Sequence, residues 1–182
     1  MPEMQGLQSD IGKIRRNDTV QVVSFRLGLE EYAIEIQNVK EIILFEGITR
    51  VPQMPEYIEG ILNLRGLVIP VFDLRRRFAL PEISKTEHSR IVVTRLEGRL
   101  AGIIVDAVSQ VMKLAQASIQ PPPETIAHFA GSYLQGVGKI QDRMILLLDI
   151  VKVLQEEKLN LSNLTTANSD SKDWLPAEKF NT

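Results

Sequence analysis

Residues 60–73 constrain the fold more than any other stretch of the chain. Two apolar runs rich in β-branched residues, 61–64 and 67–72, are separated only by Arg65 and Gly66, which is the length of a tight hairpin turn. Neither run alternates with polar residues, so we expect both faces of the hairpin to be covered by other parts of the protein. The sequence therefore predicts a β-hairpin with an arginine at its tip, within a small barrel or between two packed subdomains.

Pro70 lies in the second arm of this hairpin. Because proline has no backbone N–H to donate to a neighbouring strand, it is confined to sheet edges and bulges. We therefore expect the strand that carries Pro70 to have a free side at that point. A free side of a strand is a place where a partner protein can bind.

The chain contains the same β-rich unit twice. Residues 22–42 align without a gap on residues 91–111, at a constant shift of 69, and the apolar positions coincide. Residues 60–74 align on residues 136–150 at a shift of 76. At the hairpin tip the copies differ, because Gln141-Asp142 replaces Arg65-Gly66. Positions that the copies share are best explained by folding, so Arg65 is a candidate for function.

This repeat and the composition of the ends predict the organisation of the chain. The expected parts are a leader at 1–17, a domain at 18–158 made of two subdomains at roughly 18–88 and 89–158, a C-terminal helix at about 149–158, and a flexible tail at 159–182. Within the first copy, Val39, Ile42 and Ile43 recur at helical spacing, which predicts a short helix or helical turn over 38–43.

Composition and motifs argue against several classes of function. The chain has no cysteine, 21 basic against 23 acidic residues, and no apolar run of the roughly 18 residues that would span a bilayer, so we expect a cytosolic protein. A net charge of −2 disfavours nucleic-acid binding. No phosphate-binding loop, nucleophile elbow or histidine metal motif is present, and Asp73 and Asp149 are better read as helix caps than as a catalytic pair. The sequence predicts neither an enzyme nor a cofactor.

Two segments carry a family resemblance. The segment PEYIEGILNLRGLVIPVFDL at 55–74 and the segment YAIEIQNVKEI at 32–42 resemble the CheW family of chemotaxis adaptor proteins. The match continues in GIIVDAV at 102–108 and covers roughly residues 18–157. A hairpin signature of this length is far more specific than a short motif.

The resemblance implies a mainly β fold of two SH3-like, five-stranded β-barrel subdomains with a short C-terminal helix. It also implies a non-catalytic scaffold that couples methyl-accepting chemoreceptors to the histidine kinase CheA, whose regulatory domain has the same fold. Such a protein needs no cofactor and is cytoplasmic, recruited to membrane receptor arrays through its partners. The family's receptor and kinase surfaces correspond here to Val39, Glu41, Asn63, Arg65, Gly66, Val105, Val108 and Val111.

Other readings stay open at this point. An adaptor of the same kind could serve a receptor and kinase outside chemotaxis, in surface motility or gene regulation. A nucleic-acid-binding double barrel would show salt-sensitive retention on DNA. An enzyme would need a pocket with converging polar groups.

Overall fold

The computed structural model describes residues 18–127 and 133–155, which form twelve strands and three short helices. The strands are β1 (Thr19–Leu27), β2 (Glu30–Glu35), β3 (Val39–Leu44), β4 (Ile48–Thr49), β5 (Ile58–Leu64), β6 (Leu67–Asp73), β7 (Arg90–Leu96), β8 (Arg99–Val105), β9 (Ala107–Ala115), β10 (Ile119–Gln120), β11 (Leu134–Ile140) and β12 (Arg143–Leu148). The helices are α1 (Leu74–Arg77), α2 (Glu124–Ala127) and α3 (Ile150–Gln155). The predicted leader, the predicted tail and the end of the predicted C-terminal helix lie outside the described residues.

The strands form two six-stranded sheets. The first sheet has the order β10-β11-β12-β2-β1-β9, and the second has the order β3-β7-β8-β6-β5-β4. Each sheet contains five strands of six residues or more and one strand of two residues, β10 or β4. The predicted mainly β fold with two SH3-like subdomains is confirmed.

Each sheet takes strands from both copies of the repeat. The β1–β2 hairpin of the first copy joins β9 to β12 of the second copy, and the β7–β8 hairpin of the second copy joins β3 to β6 of the first. Parallel pairing of β12 with β2 and of β6 with β8 makes one joint in each sheet. Antiparallel pairing of β9 with β1 and of β3 with β7 makes the other. The division at residue 88 thus marks the repeat along the chain, whereas the sheets form by an exchange of hairpins between the copies.

The repeat extends to the hydrogen-bond register. Strand β3 has an extra residue, Lys40, opposite β7, and β9 has an extra residue, Ser109, opposite β1. These positions differ by 69. Likewise Glu59 in β5 and Gln135 in β11 are unpaired at register shifts 76 residues apart. Because bulges bend and twist a strand locally, the two sheets share their irregularities as well as their apolar pattern.

Buried side chains form three clusters. One cluster lies within the second sheet and includes Val71 and Ile91, and another lies within the first sheet and includes Val22 and Ile145. The largest contains residues of both sheets, such as Phe25 and Phe72, together with residues of α1 and α3. We call it the central cluster. Since neighbouring residues of β6 point into different clusters, both faces of this strand are covered, as the absence of alternation predicted.

The prediction of a helix over 38–43 is wrong. A 3-10 turn at Ile36–Asn38 is followed by strand β3, in which exposed and half-buried residues alternate. Antiparallel pairing with β7 decides the conformation, because β-branched residues fit an extended strand and a short apolar pattern is compatible with either structure.

Pro70 has the free side that its chemistry predicts. Strand β6 lies between β5 and β8, but its pairing with β8 begins only at Val71, opposite Gly102. The residues of β6 before Val71 are therefore paired with β5 alone. The missing N–H of Pro70 breaks no inter-strand hydrogen bond on the β8 side.

Gly60 is required by the close approach of β4 to β5. A Cβ atom at this position would lie 2.2 Å from the carbonyl oxygen of Thr49, and the φ of 156° is one that other residues rarely adopt. We expect Gly60→Ala to lower the free energy of unfolding by about 3 kcal/mol, the sum of backbone strain and overpacking. Chemical denaturation measures this loss. Gly98→Ala is the control, because its φ is also positive but no atom lies within 4 Å of the added carbon; equal losses in both variants would contradict the steric explanation.

Candidate functional site

The tip of the β5–β6 hairpin is a tight turn that holds Arg65 at the surface. Arg65 and Gly66 have φ values of 50° and 89°, which is the pattern of the two-residue turns that match the twist of paired strands. The side-chain Oδ1 of Asn63 accepts a hydrogen bond of 2.8 Å from the backbone N–H of Gly66. These features fix the position from which the Arg65 side chain extends.

Arg65 forms a two-point ion pair with Glu41. Its Nη1 and Nη2 donate to Oε1 and Oε2 of Glu41, each at 2.8 Å. Glu41 lies on β3, an edge strand of the second sheet, whereas Arg65 follows β5 near the opposite edge. A hollow of about 500 Å³ separates β3 from β5, and the ion pair spans this gap. We call the gap between β3 and β5 the seam of the second sheet. Arg65 and Glu41 were both candidates from the sequence, but their pairing across the seam was not predicted.

The first sheet has no equivalent ion pair. The repeat places Gln110 at the position of Glu41 (41 + 69) and Gln141 at the position of Arg65 (65 + 76). The φ of Gln141 is 53°, so the backbone of its turn resembles that of Arg65. The two sheets therefore share a backbone geometry at this place, but only in the second sheet are these two positions charged.

The ion pair shifts the pKa of Glu41. Hydrogen bonds from the Arg65 guanidinium stabilise the carboxylate and hold its pKa below the ordinary value for glutamate. The pair therefore favours the folded state at pH values above that ordinary value, and this contribution is lost as the pH falls through the lowered pKa.

In an NMR titration, we expect the Glu41 carboxyl midpoint to move up towards the ordinary value in Arg65→Ala. An unchanged midpoint would mean that the pair does not persist in solution.

The candidate valines differ in their exposure. Val39 and Val108 are half-buried and pack against the central cluster, while Val111 is 51% exposed. Val105 is fully buried in the same cluster, so its side chain supports the core and does not reach a partner. Val39 belongs to β3 of the second sheet, whereas Val108 and Val111 belong to β9 of the first. The three candidate valines with at least partly exposed side chains, Val39, Val108 and Val111, thus come from both sheets; we call them together the valine surface.

An apolar cleft opens beside the free side of β6. Before Val71 and Gly102 the parallel strands β6 and β8 are not paired, and a cleft of about 170 Å³ lies between them. Its walls include Leu67, Val68, Pro70, Leu96 and Leu100. Leu67, directly after the Arg65 tip, is 59% exposed. The proline in the sequence predicted the free side, but not the opposite wall, because that wall comes from the other copy of the repeat.

The two repeated aspartates serve as helix caps. Asp73 Oδ1 accepts hydrogen bonds from the backbone N–H groups of Arg75 and Arg76 at the start of α1, and Asp149 accepts one from Lys152 at the start of α3. Within residues 18–127 and 133–155, no three His, Cys, Asp or Glu side chains are grouped in a way that could hold a metal ion. In the same residues, no helix has the length and apolar character needed to span a membrane.

Comparison with known proteins identifies the family. The CheW-like domain family matches residues 21–158. The chain is 41% identical to the chemotaxis protein CheW of Klebsiella aerogenes over 137 residues, which is 75% of this chain and 82% of that protein. It is 35% identical to the chemotaxis protein CheW of Helicobacter pylori over 140 residues, 77% of this chain and 84% of that one.

A solved structure has the same architecture. The crystal structure of the scaffolding protein TtCheW from Thermoanaerobacter tengcongensis aligns with a TM-score of 0.68 and 36% sequence identity, and the alignment covers 75% of this chain and 92% of that chain. The matching family is one of non-catalytic scaffolds in chemotaxis. With a family match over most of its length, two exchanged β-sheets and the Arg65 hairpin, the chain belongs to the CheW family of chemotaxis adaptor proteins.

Proposed function

We propose that this adaptor couples chemoreceptors to the histidine kinase CheA by binding both at once. The observation that carries the proposal is the presence of two apolar surfaces, each with a member that lies within two residues of Glu41 or Arg65 in the chain. One is the valine surface, which includes Val39 of the strand that carries Glu41. The other is the cleft beside β6, which begins at Leu67 next to the Arg65 tip. Two partners can therefore bind next to one rigid hairpin.

The valine surface suits a receptor helix. An amphipathic helix presents apolar side chains at intervals of three or four residues, and partly exposed valines on a β-surface offer short, stiff side chains for them to pack against. The Glu41–Arg65 pair borders the second-sheet part of this surface. Because a guanidinium presents several hydrogen-bond donors in a fixed plane, Arg65 can also fix the register of a helix near the cytoplasmic tip of a receptor.

The cleft beside β6 suits the related barrel of the kinase. Its walls are mostly apolar, Leu67 is exposed at its rim, and β6 has backbone groups on the β8 side that no strand of residues 18–127 or 133–155 pairs with. A β-rich partner can fill the cleft with an aliphatic side chain and cover the free side of the strand. The regulatory domain of CheA, which the family resemblance gives the same fold, is such a partner.

Titration of the purified chain against a CheA regulatory domain and against a receptor cytoplasmic fragment tests the proposal. We expect the chain to bind each partner alone, and to make CheA co-sediment with vesicles that display the receptor fragment. Omission of the chain is the control, and it removes the co-sedimentation. Binding to neither partner would contradict the proposal and leave the family relationship as evidence of fold and general role only.

A further inference from the structure

A partly buried ion pair marks one of the two points where the chain passes between the sheets. The first passage is the turn at Ile36–Asn38 between β2 and β3, and the second is Asp106 between β8 and β9. At the second passage the Asp106 carboxylate meets the Arg75 side chain of α1, which is only 7% exposed. Helix α1 directly follows β6, the second strand of the Arg65 hairpin.

Asp106 binds both sheets at once. Its Oδ2 accepts hydrogen bonds from Nη1 of Arg75 at 2.6 Å and from the backbone N–H of Gly28 at 2.7 Å. Gly28 lies in the turn between β1 and β2 of the first sheet, and the N–H of Asp106 donates to Arg26 of the same hairpin at 3.0 Å. On the other side, Nε of Arg75 donates to the carbonyl of Pro81 at 2.8 Å. The carboxylate therefore ties the hairpin of the first sheet to the helix of the second.

The other passage has no such tie. The repeat places Gln37 at the position of Asp106 (106 − 69) and Val151 at the position of Arg75 (75 + 76). Gln37 is exposed, and its side-chain amide donates to Glu35 at the end of the preceding strand, β2. The two passages therefore differ in chemistry, although the repeat makes them equivalent in position.

The Arg75–Asp106 ion pair affects the valine surface because that surface takes residues from both sheets. Val108 comes two residues after Asp106, whereas Val39 comes one residue after the untied turn. Apolar packing in the central cluster is non-directional and by itself allows small changes of angle. Charged hydrogen bonds are directional and short.

We propose that Arg75 and Asp106 are positioning residues that fix the orientation of the two sheets, and with it the separation of Val39 from Val108. The effect on receptor binding rests on the proposed function, but the orientation does not.

Distance measurements between the sheets test this inference. The chain has no cysteine, so spin labels can be attached at Arg95→Cys in β7 and Met144→Cys in β12, which are exposed positions on different sheets. We expect pulsed electron paramagnetic resonance to show one narrow distance distribution in this labelled protein. Adding Arg75→Met or Asp106→Asn should broaden the distribution or move its mean.

Arg76→Met is the matched control. Arg76 lies beside Arg75 on the same helix, but its partners, Glu59 and Glu82, belong to β5 and to the segment after α1. Its removal costs an ion pair without loosening the joint between the sheets, so the distribution should stay narrow. Circular dichroism shows which variants are folded. Asp106→Asn keeps the shape of the side chain and one acceptor oxygen, so it decides the result if Arg75→Met does not fold. A distribution in Asp106→Asn no broader than that of Arg76→Met overturns the proposal.

Receptor binding is measured on the same variants. A weaker affinity for the receptor fragment, together with the altered distances, supports the role of the pair in positioning the valine surface. Altered distances with unchanged affinity overturn that role. If the unmodified chain binds no receptor fragment, the proposed function fails, whereas the distance measurement still decides whether the pair orients the sheets.

Discussion

Arg65→Ala is expected to weaken binding of the receptor fragment or of the CheA regulatory domain by about 10-fold to 100-fold, the range for losing an arginine at an interface. The change in stability should be small, because Arg65 is 75% exposed and exposed ion pairs contribute little to stability. Isothermal titration with each partner measures the affinity, and chemical denaturation measures the stability. The partner that loses affinity is the one that contacts the hairpin tip.

The charge-swapped double variant Glu41→Arg/Arg65→Glu separates two explanations of that result. If the guanidinium itself contacts a partner, the double variant keeps an ion pair across the seam but still binds weakly. If the pair acts only by holding β3 next to the hairpin tip, the double variant binds as the unmodified chain does. Unchanged affinity of Arg65→Ala for both partners would remove Arg65 from the site.

Leu67→Asp is expected to weaken binding of the CheA regulatory domain by about 100-fold, because a partner would have to bury an unpaired carboxylate against the apolar walls of the cleft. Leu67 is more than half exposed, so the folded state tolerates the charge. Affinity for the receptor fragment should change little, since Leu67 is in neither the valine surface nor the Glu41–Arg65 pair. Titration of one preparation against both partners gives the comparison.

Ile83→Asp is the control for this substitution. Ile83 is 47% exposed and lies in the segment between α1 and β7, away from the walls of the cleft. The same charge at this position should leave CheA binding unchanged. Equal weakening by both substitutions would point to a general effect of negative charge and would contradict a specific role for the cleft.

Local chemistry was sufficient to predict the hairpin, its turn and the helix caps. The two-residue spacing at Arg65-Gly66 specifies the turn, and Asp73 precedes a helix start. The repeat at shifts of 69 and 76 predicted two similar units, since the apolar positions of the two copies coincide although few residues are identical. In each case the determining residues are close together in the chain or occur in both copies.

The composition of each sheet could not be predicted in this way. Whether the β1–β2 hairpin pairs with its own copy or with the other one depends on packing between distant strands, and both choices satisfy the same apolar pattern. For the same reason the second wall of the cleft beside β6 and the tie between Arg75 and Asp106 were missed. The helical spacing of Val39, Ile42 and Ile43 led to a wrong prediction because the strand that pairs with β3 is distant in sequence. Ile91, which lies opposite Ile43, is 48 residues away (91 − 43).

The exchange of hairpins also has a consequence for how the protein is made. Strand β2 pairs with β12, and Glu31 lies opposite Ile145, which is 114 residues later in the chain (145 − 31). The first sheet is complete only when both strands are present. On the ribosome, the β1–β2 hairpin emerges long before this partner strand does. Contacts so distant in sequence slow folding and leave strand edges exposed for longer. Neither half of the chain holds all the strands of a sheet, so neither sheet is complete until strands of both halves have been synthesised.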